Sequence, residues 1–326
     1  MAADFLSIVV VSHLGGEMLS RCIDSLRGQL LDEDQLDVLI SANPGEAETG
    51  TLDFPFVHLG KNIGFARAAN AGFARAKHAR ILLLNDDTQA EPGFLAALRE
   101  ASTTPGLYQP RILLADGSGR LDNVGHGLFP DGFNWARGRQ DVDSEAYDQA
   151  EEVGACSGAA MLIHRDVLDA TGPFDSDLEA FGEDVDLSLR ARRAGFGLHY
   201  VPTARIRHQL GASYGRYSPR KLFLVERNRL RVAVRSMPMS ALLSMPAWTG
   251  IRLAGLSFAS LSGRGYAAGV DQKAAIATAK GLLAGVRHIP DAWEKRKEDA
   301  PSWRCSDSRM WASLVRHRIR LQDVIR

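Results

Sequence analysis

Ala79-Arg80-Ile81-Leu82-Leu83-Leu84-Asn85-Asp86-Asp87-Thr88 is a short, unbroken apolar run that ends on two adjacent acids. A run of this length and polarity is expected of a strand buried on both faces of a parallel sheet. Leu6 to Val11 and Leu36 to Ser41 read as further strands, and Phe56 to Leu59 as a third short one. Between them, Met18 to Leu30 and the alanine-rich Ile63 to Ala76 carry helical spacing, as does Glu91 to Ala101, with Pro92 at its first turn. Alternation of this kind predicts an α/β fold, a mostly parallel sheet flanked by helices. In such sheets ligands gather at the carboxyl ends of strands, which is where Asp86 and Asp87 stand.

Further along, Asp116 to Glu152 is rich in Gly, Asp and Asn and reads as a long excursion with an irregular hairpin. Order resumes at Val153 to His164. Arg165 to Ala170 reads as a short helix and Leu178 to Ala194 as a longer one stopped by Gly195. Phe196 to Val201 and Ala204 to His208 read as two strands, and from about Pro219 the pattern is helical.

The 326 residues hold 39 Lys and Arg against 39 Asp and Glu, so no global charge points to a polyanionic partner. Nine basic residues against the single acid Glu226 lie between Arg205 and Arg235, a patch suited to solvent, phosphate or anionic lipid. Three cysteines without metal-ligand spacing fit a reducing, cytoplasmic setting. The opening MAADFLSIVVVSH reads as a strand rather than a signal peptide, and no apolar stretch is long enough to span a bilayer. Met237 to Leu261 has the apolar content of a helix lying on a membrane, and equally of one packed on the main domain or on a second copy. No nucleic-acid module is present. No GxGxxG follows the first strand, where Ser12-His13-Leu14-Gly15-Gly16 stands instead, which argues against a dinucleotide enzyme.

Three acidic or imidazole features bear on chemistry. Asp86 and Asp87 suit oxygen ligation of a hard divalent cation, or capping of the next helix. Glu183, Asp184 and Asp186 cluster at a predicted helix start, where they favour the helix dipole or line a pocket. His208, at a strand end, is a nitrogen ligand for Mn²⁺ or a histidine satisfied by a neighbour.

Five blocks in order, Asn62-Ile63-Gly64-Phe65-Ala66-Arg67-Ala68-Ala69-Asn70-Ala71-Gly72, Leu82 to Thr88, Gly158 to Ile163, Gly172-Pro173-Phe174-Asp175 and Glu183 to Arg190, resemble glycosyltransferase family 2. The resemblance is greatest to its bacterial rhamnosyltransferase-like branch and covers roughly residues 5 to 235. Arg207 to Ser213 and then Arg227-Asn228 resemble the family's histidine-containing block. The resemblance implies a GT-A fold over residues 1–235, with a nucleotide-binding half (1–110), an acceptor half (111–235) and a C-terminal helical region (236–326). It implies an inverting transfer, possibly of rhamnose, from a dTDP- or UDP-sugar to a hydroxyl of a glycan or lipid-linked acceptor of the bacterial envelope. It maps the metal-binding acid onto Asp87, with His208 as a further ligand for Mg²⁺ or Mn²⁺. The catalytic base maps onto Asp184, with Glu183 beside it. Ser12, His13, Asn62, Gly64, Arg67, Asn70, Asn85 and Asp86 map onto the donor pocket. A membrane-peripheral location on the inner face, or a homo-oligomer, is compatible with the same reading. Ala42 departs from the pattern, standing where members usually carry an Asp that binds the pyrimidine base. The alternative is a relic of the same fold that binds nucleotide sugar or carbohydrate without turnover.

Overall fold

The computed structural model describes residues 5–43, 45–50, 52–209, 218–262 and 272–325. Strand β1 (Leu6–Ser12) is buried throughout and lies parallel between β2 (Gln35–Ile40) and β4 (Arg80–Asn85), with β3 (Val57–His58) parallel on the far side of β2. Alternation along β1 sorts its side chains to two faces. Ile8 and Val10 meet helix α1 (Gly16–Arg27), whereas Val9 and Val11 meet α2 (Phe65–Arg75). Gly72 permits that second contact, since a β-carbon there would stand 2.2 Å from a Val9 methyl.

Beyond β4 the sheet becomes mixed. After β5 (Thr88–Ala90) and α3 (Phe94–Ala101), the chain enters β6 (Gly106–Leu114), nine buried residues to which the sequence reading assigns no element. β10 (Ala160–His164) runs antiparallel between β4 and β6, and β11 (Gly197–His208) is parallel to β6 and antiparallel to β5. The excursion adds β7 (Leu121–Asn123) against β6 and a separate hairpin, β8 (His126–Leu128) with β9 (Asn134–Ala136). Helices α4 (Arg165–Thr171) and α5 (Glu183–Ala194) close the face that α2 begins.

Several element boundaries differ from expectation for local reasons. The third predicted helix starts at Phe94, not Glu91, because β11 draws Thr88–Ala90 into the sheet and Gly93 takes a left-handed turn. The helix expected from Leu178 starts at Glu183, because Glu179 and Phe181 adopt positive φ (63° and 66°) and break the spiral. The two strands expected between Phe196 and His208 are one, with a register shift between Val201 and Arg205 around Pro202.

The C-terminal third comprises α6 (Pro219–Ser236), α7 (Met239–Leu261), α8 (Gln272–Arg287), α9 (Ile289–Asp299), α10 (Asp307–Arg316) and α11 (Leu321–Ile325). Leu230, Ala233 and Met237 share one apolar cluster with Ala241 and Met245 of α7, Met310 and Leu314 of α10, and Val185 and Leu189 of α5. Among the described residues, no helix is long and apolar enough to cross a membrane.

Among the described residues, the basic run from Arg205 to Arg235 is not an open cationic face. Arg205 and Arg207 pair with Glu91, Arg227 with Glu179, Arg231 with Asp177, and Arg235 with Asp175, Asp186 and Asp299. Arg229 and Arg252 share the buried acids Asp131 and Glu226. Acids distant in sequence neutralise charges that look unbalanced locally.

Candidate active site

The carboxyl ends of β1 and β4 meet the ends of β7 and β11 and the start of α5 around one cleft of about 620 Å³. It is lined by Ser12, His13, Asn62, Gly64, Asn85, Asp86, Asp87, Glu183, Asp184 and His208. Two sequence-predicted residues do not line it. Arg67 is exposed on α2, and Asn70 is used as a staple: its Nδ2 donates to the Phe174 carbonyl (2.8 Å) and its Oδ1 accepts from the Phe174 N–H (3.0 Å).

At the sheet edge, Gly15 N–H donates to Ser12 Oγ (2.8 Å), which in turn donates to Asp86 Oδ2 (2.5 Å). Burial, opposed by the Ser12 hydrogen bond and aided by the Asp87 charge, raises the Asp86 carboxyl to about 6. His13 Nδ1 donates to the Ser41 carbonyl (3.0 Å), and Asn62 Oδ1 accepts from Gly64 N–H (3.0 Å). Ala42 is wholly buried in the core beneath this edge and offers no polar group.

Pairing of His208 with Thr88 across β11 and β5 brings the imidazole to Asp87. His208 Nε2 lies 3.2 Å from Asp87 Oδ1, and its Nδ1 donates to Asp122 Oδ2 at 2.7 Å. Burial disfavours the ring's charge, but the Asp122 and Asp87 carboxylates outweigh it and raise its pKa to about 10. Asp122 was hidden in the polar excursion; the available signal is its place in Leu121-Asp122-Asn123 between glycine-rich turns.

Whether these residues suit a divalent cation is tested by their lone pairs. Asn85 Oδ1 and Asp87 Oδ1 are both buried, and neither accepts a hydrogen bond; Asp87 Oδ1 has only the ion-pair contact with His208. Among the described residues, no group of three His, Cys, Asp or Glu side chains is arranged as a complete metal cage. A hard cation held by one carboxylate, one imidazole and the oxygens of a bound diphosphate needs no such cage. Asp122 then stands where an outer carboxylate orients a ligating histidine. The residues fit.

On α5, Asp184 Oδ2 accepts from Gly158 N–H (2.9 Å) and Oδ1 from Val185 N–H (2.8 Å). Its neighbour Glu183 is 5% exposed, with Oε2 unpartnered, and burial followed by the Asp184 charge pushes its carboxyl well above the ordinary range. The turn before them is held by Asn228, whose Nδ2 donates to the carbonyls of Leu178, Ala180 and Phe181.

The excursion supplies the remaining wall. Phe133 and Trp135 stack at 6.3 Å, and the Arg139 guanidinium lies 5.3 Å from the Trp135 ring and pairs with Asp122 at 3.4 Å. His126 sits between the amides of Asn123 and Asn134, its pKa lowered by burial. Nothing in the local sequence marks these residues, because the hairpin that gathers them has little periodicity.

The profile described as "Glycosyltransferase like family 2" matches residues 46–234. The chain belongs to that family. Within this glycosyltransferase family, it is 28% identical over 245 residues to the N-acetylglucosaminyl-diphospho-decaprenol L-rhamnosyltransferase of Mycobacterium tuberculosis, a match spanning 65% of this chain and 78% of that protein. It is 32% identical over 194 residues to an uncharacterized protein of the same species, spanning 55% of this chain and 66% of the relative's length. The pre-mycofactocin glycosyltransferase of M. tuberculosis is 27% identical over 283 residues, 79% of this chain and 56% of that enzyme. Among solved structures, GalNAc-T7 with UDP, GalNAc and Mn²⁺ aligns at TM-score 0.56 and 17% identity, over 74% of this chain and 49% of that one. S. aureus TarS 1–349 with UDP-GlcNAc aligns at 0.53 and 12%, over 93% and 90%. These likenesses show the shared glycosyltransferase fold.

Proposed function

We propose that this glycosyltransferase moves one sugar, with inversion, from a nucleotide-diphosphate donor to a hydroxyl of a glycan or lipid-linked acceptor, in a metal-dependent reaction. The observation that carries the reading is the shared cleft. Asp87 and His208 lie at the sheet edge, and Asp184 opens a helix on the same hollow.

Ser12, His13, Asn62, Gly64 and Asp86 take the nucleoside end of the donor. Arg139 and Lys221, which also line the cleft, are cations within it to meet phosphate. Asp87 and His208 would hold Mg²⁺ or Mn²⁺, which when bound supplies Lewis-acid stabilisation of the departing diphosphate. Asp184 acts as general base: it takes the proton of the acceptor hydroxyl as that oxygen bonds to the anomeric carbon. The bond from that carbon to the diphosphate oxygen breaks, and its electron pair leaves with the diphosphate. Gly158 and Val185 N–H groups fix the carboxylate's direction, and each of its oxygens retains a lone pair. Glu183, whose carboxyl is raised by burial and by the Asp184 charge, hydrogen-bonds the acceptor beside it. Phe133 and Trp135 give the acceptor an apolar platform.

Similarity to a mycobacterial rhamnosyltransferase supports a rhamnosyl donor as the first to try. The test is release of nucleoside diphosphate across a panel of dTDP-, UDP- and GDP-sugars with Mg²⁺ or Mn²⁺ and with EDTA. Turnover with metal and none with EDTA is expected. Donor binding without turnover on every donor and acceptor tried points instead to a relic that only binds.

A further inference from the structure

Helix α7 carries one charged residue, Arg252, and is otherwise largely apolar. A helix of that kind is ordinarily covered all round. One side of α7 is covered: Ala241, Met245, Thr249, Arg252 and Ala259 are buried against the rest of the chain. Trp248 packs edge-on to Phe129 (5.7 Å), and the Arg252 guanidinium lies 4.6 Å from the Phe133 ring. The opposite side is bare. Leu243, Ala247, Ile251, Ala254, Phe258 and Leu261 follow helical spacing along it, with Leu243, Phe258 and Leu261 exposed by 81%, 70% and 90%. The stripe runs for about 27 Å at the rise of an α-helix.

Helix α8 packs on α6, where Gly281 lies against Glu226, whose carboxylate also holds Arg252 of α7. The exposed side of α8 reads Lys273, Ile276, Lys280, Leu283, Arg287, alternating cation and apolar residue at helical spacing. None of these three cations is ion-paired among the described residues, and neither helix contains an Asp or Glu.

We propose that the outward faces of α7 and α8 dock on an anionic lipid bilayer surface. Apolar side chains flanked by unopposed cations match the boundary between acyl chains and anionic headgroups. A second copy is the weaker occupant. In a two-fold dimer each face meets itself, and the cations of α8 would confront like charges with no acid on either helix to pair with. Docking would place α7 between the bilayer and that hairpin, since Phe129 and Phe133 pack on the covered side of α7. The surface is read independently of the proposed transfer, although a lipid-linked acceptor would profit from it.

The test is co-sedimentation of the full chain with vesicles of phosphatidylcholine alone and of equimolar phosphatidylcholine and phosphatidylglycerol, at low and high salt. No donor or turnover is involved, so the result stands apart from the catalytic reading. The chain should pellet with the anionic vesicles at low salt and far less with neutral ones or at high salt. The variant Leu243→Ser/Phe258→Ser/Leu261→Ser should stay in the supernatant. Lys273→Gln/Lys280→Gln/Arg287→Gln should partition about a hundredfold more weakly. All six positions are exposed and none lines the cleft, so both variants should keep the wild-type melting temperature. Absence of binding to anionic vesicles at low salt overturns the proposal. So does equal binding of both variants, or a wild-type dimer that the serine variant converts to monomer in sedimentation velocity.

Discussion

Replacing Asp184 by Asn removes the proposed proton acceptor while leaving the side chain's shape. In the native chain both carboxylate oxygens accept backbone N–H groups, from Val185 at 2.8 Å and Gly158 at 2.9 Å. The amide of Asn keeps one acceptor and turns its NH₂ toward the other N–H, so one hydrogen bond is lost. That costs about 1–2 kcal/mol of stability. Spread over the unfolding entropy of 326 residues, it lowers the melting temperature by about 2–3 °C. Loss of general-base catalysis lowers turnover by about 10²–10⁴-fold, equivalent to about 2.7–5.4 kcal/mol of barrier. The two effects are separable. Donor affinity by calorimetry should be unchanged, melting should shift slightly, and nucleoside diphosphate release with acceptor should collapse. Glu183→Gln provides the contrast. Burial and the Asp184 charge push the Glu183 carboxyl well above its ordinary range, so an amide of similar size should leave turnover within a few-fold. Transfer by Asp184→Asn within tenfold of wild type, with donor binding intact, would refute the assignment. So would equal losses in the two variants, because the adjacent acids would then not differ in role.

Two further outcomes follow from buried charge. His208 has its folded pKa raised from 6.5 to about 10. The stabilisation from its charged form is therefore complete below pH 6.5 and is lost as pH rises toward 10. Urea unfolding in EDTA should show stability falling through that window by up to about 1.4 kcal/mol per pH unit. His208→Gln should flatten this fall, and Asp122→Asn should end it at lower pH; a flat wild-type profile would contradict the pairing. Arg252→Leu leaves Asp131 and Glu226 with Arg229 alone, a loss of about 3–5 kcal/mol. The expected fall in melting temperature is about 4–7 °C, partly restored when Glu226 is replaced by Leu in the same chain. Calorimetric melting of the pair decides it, and an unchanged single variant would mean that the buried charges are dispensable.

The N-terminal half was legible because its strands are buried on both faces and so read as largely apolar runs, Leu6 to Val11 and Ala79 to Leu84, each with one polar residue. β6 was illegible for the opposite reason. Gln109, Pro110 and Arg111 interrupt it, and their presence inside a sheet makes sense only with distant partners: Tyr200, Asp143 and Asp148 for Arg111. Asp87, Asp184 and His208 could be picked out because each ends or begins a regular element at a motif. Asp122, Trp135 and Arg139 could not, since an aperiodic excursion carries them to the cleft. Asn70 illustrates the converse error, a motif residue read as a ligand contact whose side chain ties α2 to Phe174, 104 residues away. The basic run after Arg205 misled in the same way, its counter-charges lying far off in sequence.

Asn228 grips three carbonyls of one backbone turn, those of Leu178, Ala180 and Phe181, just ahead of the helix that carries Asp184. Two of the residues in that turn, Glu179 and Phe181, sit in a left-handed backbone region that ordinary side chains resist. A spring held in tension needs an anchor, and here the anchor belongs to α6, on which α8 and α9 are mounted. Helices α8 and α9 thus connect to the residues just ahead of Asp184 through α6 and its Asn228.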